Sequence, residues 1–178
     1  LKIKFCKKAI HILLFLLYFQ APFLQSQDKE FNAEETVWYF IRHAEKNRDN
    51  PEDNNPELNS KGKLRALNWA YFFREIPLGS IYSTNYHRTI STAQPVAEAK
   101  NLPIIIYSPD ELNVKTFMEQ NQEKTVLIVG HSNTTPKLVN AIMEKEIFKQ
   151  MQDNDNSSLF IVKVLHGEKT VEHIFVGQ

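Results

Sequence analysis

Val37-Trp38-Tyr39-Phe40-Ile41 is a run of five large apolar residues that breaks directly into Arg42, His43, Glu45 and Lys46. A strand with one wet face would alternate, so an unbroken run of this length predicts a strand covered on both faces, as in a parallel sheet. In open α/β sheets ligands collect beyond the carboxyl ends of the strands, which makes the Arg-His pair a candidate site from its position alone. A second run, Thr125 to Gly130, ends in His131-Ser132-Asn133-Thr134, and a third, Ser80-Ile81-Tyr82-Ser83, leads to His87-Arg88. Three strands therefore deliver two Arg and three His towards one sheet edge.

Between these runs the pattern predicts helices. Asn59 or Ser60 caps a helix whose Leu64, Leu67 and Ala70 or Tyr71 fall at helical spacing, and Pro77 ends that region. A second helix is expected over 89–100, with Ala93, Val96 and Ala97 inward. A third strand follows over 103–107, then a weakly helical stretch after Asp110. The strand over 125–130 leads into a helix with Pro136 in its first turn and a Thr before it as cap. Asn47 to Pro56 and Asp153 to Ser157 are dense in Asn, Asp, Pro or Ser and read as loops. The chain closes with two strand-like runs, 159–165 and 170–176, around His166-Gly167-Glu168, a β-hairpin pattern. Strands alternating with helices predict an α/β three-layer sandwich, with a mainly parallel central sheet flanked by helices and a C-terminal β-hairpin.

The 178 residues are enough for one domain of ordinary size, and 42% hydrophobic with 24% charged residues is a globular composition. The formal net charge of zero is unevenly spread. Residues 1–27 hold four of the 21 basic side chains and none of the 21 acidic ones, which leaves the remainder at −4. A mildly acidic body argues against a nucleic-acid partner. Lys2, Lys4, Lys7 and Lys8 precede the apolar run Ala9 to Phe19, the arrangement of a signal peptide and short for a membrane span. The expectation is thus a signal peptide over 1–27, cleaved near Gln25-Ser26-Gln27, and a domain over 28–178. The mature protein would have no membrane span and would be exported, periplasmic or extracellular. Cys6, the one cysteine, precedes the apolar run, where neither lipid attachment nor an intramolecular disulfide is available to it.

Arg42-His43 after the first strand, Arg88 within Tyr82-Ser83-Thr84-Asn85-Tyr86-His87-Arg88-Thr89, and Gly130-His131 after a late strand resemble, in order, the motifs of the histidine phosphatase superfamily, which includes the phosphoglycerate mutases. The resemblance spans the chain from Thr36 onward. It implies that His43 is a nucleophile forming a phosphohistidine, and that His131, Arg42 and Arg88 join it around the phosphate. The residue chemistry agrees: a planar guanidinium gives a phosphate two parallel hydrogen bonds and stays charged, while a neutral imidazole held through its other nitrogen can attack phosphorus. Neither a metal nor another cofactor is expected. A metal site of His43, His87 and His131 lacks ligand spacing, and Arg42 and Arg88 would repel the cation.

The chain also departs from the resembled pattern. Many members carry a Glu two positions beyond a Leu after the third strand, and here that position is Val114. Asp110 is favoured as the general acid that protonates the leaving oxygen, with Glu111 as the alternative. Ala44 and Ser132 stand where Gly is usual, and Lys46 where Ser or Thr is usual. Lys46 either adds positive charge at the mouth of the pocket, favouring multiply charged or bulky phosphoesters, or is a solvated loop lysine. The expected partner is a small-molecule, glycan or lipid phosphoester. Two alternatives stay open: an envelope protein that binds phosphorylated ligands without turnover and, without export, a phosphohistidine phosphatase or mutase.

Overall fold

The computed structural model describes residues 35–177; the expected signal segment and its cleavage point lie outside them. The apolar run forms β1 (Thr36–Arg42), with parallel β4 (Thr125–Gly130) on one side and antiparallel β5 (Ser158–Leu165) on the other. β2 (Ser80–Ser83) pairs parallel with β4, and β3 (Ile104–Ile106) pairs parallel with β2. β6 (Glu168–Phe175) completes the six-stranded order β3-β2-β4-β1-β5-β6. β1 and β4 are central, which is why neither alternates: every residue of β4 is buried, and in β1 only Tyr39 is partly exposed. His166 and Gly167, with φ of 51° and 84°, form the turn of the β5-β6 hairpin, where a two-residue connection with positive φ matches the strand twist.

The helices are α1 (Ser60–Phe72), α2 (His87–Lys100), α3 (Val114–Gln120) and α4 (Thr134–Met143). They cover both faces of the sheet. Trp38, Phe40, Val126, Ile128, Phe160 and Val162 point to one face and pack with Phe117 of α3 and Leu138, Val139 and Ile142 of α4. Ile41, Leu127, Val129 and Leu159 point to the other, against Trp69 of α1, Phe73 directly after it and Val96 of α2. This is the three-layer α/β arrangement with a mainly parallel sheet. Truncating a fully buried ring such as Phe40 would cost about 3–5 kcal/mol.

Asn59 caps α1 by accepting from the Gly62 amide, as expected. The face of α1 that packs is not the expected one. Its buried residues are Gly62, Ala66 and Trp69, whereas Leu64, Leu67 and Tyr71 are 59%, 58% and 68% exposed. α1 carries apolar residues on two faces, and contact distance decides between them. A Cβ on Gly62 would lie 2.1 Å from the Glu45 carbonyl oxygen, so the helix seats its small-residue face on the loop after β1. At α4 the N-cap is Asn133, and both Thr134 and Thr135 are already helical.

Candidate active site

Register brings the site together. Arg42 pairs with Gly130 and Ser83 with Val129, so Arg42, Thr84 and His131 emerge at one edge of the sheet. The His43 amide donates to the Gly130 carbonyl at 2.9 Å, continuing the ladder one step into the site. Arg88 arrives as the second residue of α2, and Asp110 after β3. One pocket is lined by Arg42, His43, Arg88, Asp110 and His131, with Lys46 at its wall. The five residues picked from the sequence therefore meet. Glu111 does not line this pocket, which separates the two candidate acids.

His43 is 4% exposed, and its Nδ1 lies 2.8 Å from the Ala44 carbonyl oxygen. A carbonyl only accepts, so Nδ1 carries the proton of the neutral ring and Nε2 keeps its lone pair. Burial, the largest influence, lowers its pKa to about 3; the Ala44 bond acts in the opposite direction, and Arg42, His131 and Arg88 lower it further. The His43 backbone is held as well, since its carbonyl accepts from Asn156 Nδ2 at 2.8 Å and the next amide, Ala44, donates to Thr92 Oγ1 at 2.9 Å.

Arg42 is almost wholly buried and tied to the loop before β5. Its Nη1 faces the carbonyl oxygens of Gln152, Asp153 and Asp155, each at 2.9 Å, and its Nη2 donates to Asp153 Oδ1 at 3.2 Å. Its Nε has no partner. Arg88 contrasts with it: Nε and Nη1 are both buried without a partner, and the guanidinium carbon lies 4.3 Å over the Tyr86 ring. Burial lowers the Arg88 pKa, with Arg42 adding in the same direction and Tyr86 and Asp53 opposing. Three buried guanidinium nitrogens without partners, on two arginines facing one pocket, are costly unless an anion completes them.

His131 is held differently. Its Nε2 lies 2.8 Å from Thr84 Oγ1, which is 3.0 Å from Thr89 Oγ1, and Thr89 in turn donates to the Thr84 and Tyr86 carbonyls. With the Thr89 proton on a carbonyl, Thr84 donates to Thr89 and accepts from His131 Nε2–H; rotation of the Thr84 hydroxyl reverses that assignment. Burial first, then Arg88, Arg42 and Lys46, lowers the His131 pKa to about 4. The two imidazoles meet edge to face, 5.4 Å between centroids, and Tyr86 packs edge-on against His131 at 5.0 Å.

Glu45 has a structural job: both its oxygens receive the Arg65 guanidinium at 2.9–3.0 Å, and Lys61 stands 3.3 Å away. Asp110 is exposed at the rim. His87 begins α2 outside the pocket lining. His173, for which the sequence suggests no partner, stacks on Phe160 at 4.5 Å and contacts Ser158 Oγ at 2.8 Å through Nε2. Among the described residues no group of three or more His, Cys, Asp or Glu is placed to share a metal ion. The sequence reading missed the loop 152–156, Thr84 and Thr92. The clustering of Asn and Asp in that loop was its only available signal.

Residues 38–109 match the model of the histidine phosphatase superfamily, branch 1. No curated protein matches the chain by sequence. By structure, the chain is similar to the assigned phosphohistidine phosphatase SixA of Agrobacterium tumefaciens, at 20% identity and a TM-score of 0.60, over 78% of this chain and 97% of that one. It is similar to a phosphoserine phosphatase of Entamoeba histolytica at 18% identity and a TM-score of 0.61, over 80% and 97%. A phosphoglycerate mutase of Bacillus anthracis aligns at 17% identity and a TM-score of 0.60, over 79% and 93%. Residues 38–109 are thus similar to the histidine phosphatase superfamily in sequence, and the chain shares the fold of these phosphatase and phosphoglycerate mutase structures.

Proposed function

We propose that the protein is a phosphatase that hydrolyses phosphomonoesters through a phosphohistidine at His43, without a metal. The observation that carries this reading is the fixed tautomer of His43, whose bare Nε2 faces a pocket with unpartnered guanidinium N–H groups. In the first step the Nε2 lone pair attacks phosphorus, the phosphorus–oxygen ester bond breaks, and the Asp110 carboxyl gives its proton to the departing oxygen. Arg42, Arg88 and His131 hold the transferring oxygens, where placed donors matter most. In the second step water loses a proton to the Asp110 carboxylate and attacks phosphorus, the nitrogen–phosphorus bond breaks, and phosphate leaves. His43 ends neutral, as it began. Export through residues 1–27 belongs to the same proposal. The like-folded proteins are named for phosphohistidine, phosphoserine and phosphoglycerate, so the fold does not select among substrates.

The competing reading is a protein that binds phosphorylated ligands without turnover, and the exposure of Asp110 at the rim favours it. p-Nitrophenyl phosphate decides between them, because its good leaving group reports on His43 even with a poor acid. The phosphatase reading predicts turnover that persists in EDTA and disappears in His43→Ala. Phosphate or vanadate binding with no turnover by the unaltered protein would establish the binding reading instead.

A further inference from the structure

Two hollows adjoin the phosphate pocket and share lining with it, and they differ in chemistry. The wider one opens from Arg42 and His43 and is walled mostly by charged and polar side chains. The smaller, of about 240 Å³, begins at Pro109, Asp110 and Thr134. It continues between α3 and α4, where Tyr107, Leu112, Val114, Leu138 and Ala141 line it.

The smaller hollow is anchored on the core. Asn113 caps α3 by accepting from the Thr116 amide at 3.0 Å, which fixes Val114 as the first helical residue. The Tyr107 amide donates to the Ser83 carbonyl at 3.0 Å, one step beyond the paired residues of β2 and β3. Tyr107, Leu112 and Val114 then pack against the core cluster of Trp38 and Phe117. Burial raises the Tyr107 pKa, so its hydroxyl stays neutral, and the charged members of the lining, Asp110 and Lys137, are exposed at the mouth. Val114 stands where the resembled pattern has Glu, and that departure leaves carbon in the wall in place of a carboxylate.

The direction of the reaction selects between the hollows. In-line displacement puts the departing oxygen across phosphorus from the His43 nitrogen, and the proton donor must stand beside that oxygen. His43 lines the wider hollow and not the smaller, whereas Asp110 lines the smaller and not the wider. Whatever is bonded to the departing oxygen therefore continues past Asp110 into the smaller hollow. Hydroxyl groups placed there would lose water and meet few partners, while carbon surface is favoured. An apolar cavity of about 150 Å³ holds benzene, so the space suffices for one ring.

We infer that the alcohol part of the substrate is a compact apolar group, a single aromatic ring or a short branched alkyl chain, seated against Leu112, Val114, Leu138 and Ala141 while the phosphate faces His43. The inference rests on the phosphatase reading with Asp110 as the acid, and it narrows the substrate class of that site.

Calorimetric titration of the full-length protein with benzylphosphonate and methylphosphonate tests it, since the two share a headgroup and neither has an ester bond to hydrolyse. Benzylphosphonate should bind about tenfold or more tighter, with the more negative heat-capacity change that burial of apolar surface gives. Ala141→Phe, which offers the space a ring of the protein's own, should reduce the preference to within about twofold. Val114→Ser, which puts a hydroxyl in the wall, should lower it by about threefold. Leu67→Ser, a comparable loss on the exposed face of α1, should leave it in place. Equal binding of the two phosphonates, or a preference that both pocket variants keep, would overturn the inference. Hydrolysis of p-nitrophenyl phosphate, run alongside, reports separately on the phosphatase reading. Turnover without a ring preference removes the inference alone, and absence of turnover removes the reading beneath it.

Discussion

The ends of β1 and β4 each deliver a histidine to the pocket, and they hold it by different means. At the β1 end the backbone does the holding: the Ala44 carbonyl fixes the His43 tautomer, and three loop carbonyls fix Arg42. Carbonyls cannot change from acceptor to donor, so this end is set in one protonation pattern. At the β4 end a chain of two threonine hydroxyls holds His131, and a hydroxyl can turn. The comparison teaches a division of labour. In the proposed reaction the β1 end would provide a nucleophile of constant identity, and the β4 end a donor or acceptor that follows the charge on the phosphate.

The sharpest way to break this contrast is to remove each histidine. His43→Ala should reduce p-nitrophenyl phosphate turnover by about 10⁴-fold or more, as losing a nucleophile does, whereas His131→Ala should retain measurable phosphoenzyme formation. Equal losses, with no phosphoenzyme in either variant, would erase the distinction. The arginines come next. Arg42→Ala and Arg88→Ala should each lower kcat by about 10²–10³-fold, the usual scale for one placed donor. Their melting temperatures should diverge: Arg42→Ala frees the loop before β5 and loses about 2–4 kcal/mol, while Arg88→Ala removes unpartnered buried N–H groups and keeps or gains stability. A matching fall in both would contradict the assignment of Arg42 as the anchored member.

Acid should reveal both ends together. His43 and His131 have folded pKa values lowered to about 3 and about 4, against about 6.5 for an unfolded histidine. The unfolded chain therefore binds more protons as pH falls below that value, so the stability is whole above pH 6.5 and declines towards pH 4. The decline should be on the order of a few kcal/mol. Denaturant melts across this range should show it in the unaltered protein and a flatter profile in the His43→Ala, His131→Ala double variant. The smallest expected effect is Thr84→Val, which removes one hydrogen bond of about 1–1.5 kcal/mol and so about tenfold in kcat. Its pH profile should shift while that of Asn156→Ala, acting on the β1 backbone, should not.

Much of this architecture is legible in the residues because it depends on local pattern. The unbroken runs of β1 and β4 announce central strands, and the abrupt change to Arg42-His43 and to His131 marks where they surface. What stays hidden depends on distant partners. Arg42 is bound by carbonyls 110 to 113 residues further on, and a carbonyl has no sequence signature. Similarly, α1 has apolar residues on two faces, and only the close approach of Gly62 to Glu45, where an added Cβ would lie 2.1 Å from the carbonyl oxygen, shows why Leu64, Leu67 and Tyr71 face outward. Thr84 and Thr92 carry hydroxyls like any others, and their roles exist only because the strand register sets them beside His131 and Ala44.

The most direct test of the central claim is to quench the reaction with p-nitrophenyl phosphate in alkali, where phosphohistidine survives, and to locate the phosphoryl group by peptide mass spectrometry and phosphorus NMR. The account predicts phosphate on His43, attached at Nε2, because Nδ1 is committed to the Ala44 carbonyl. Attachment at Nδ1, attachment to another residue, or turnover without any phosphoenzyme would contradict it.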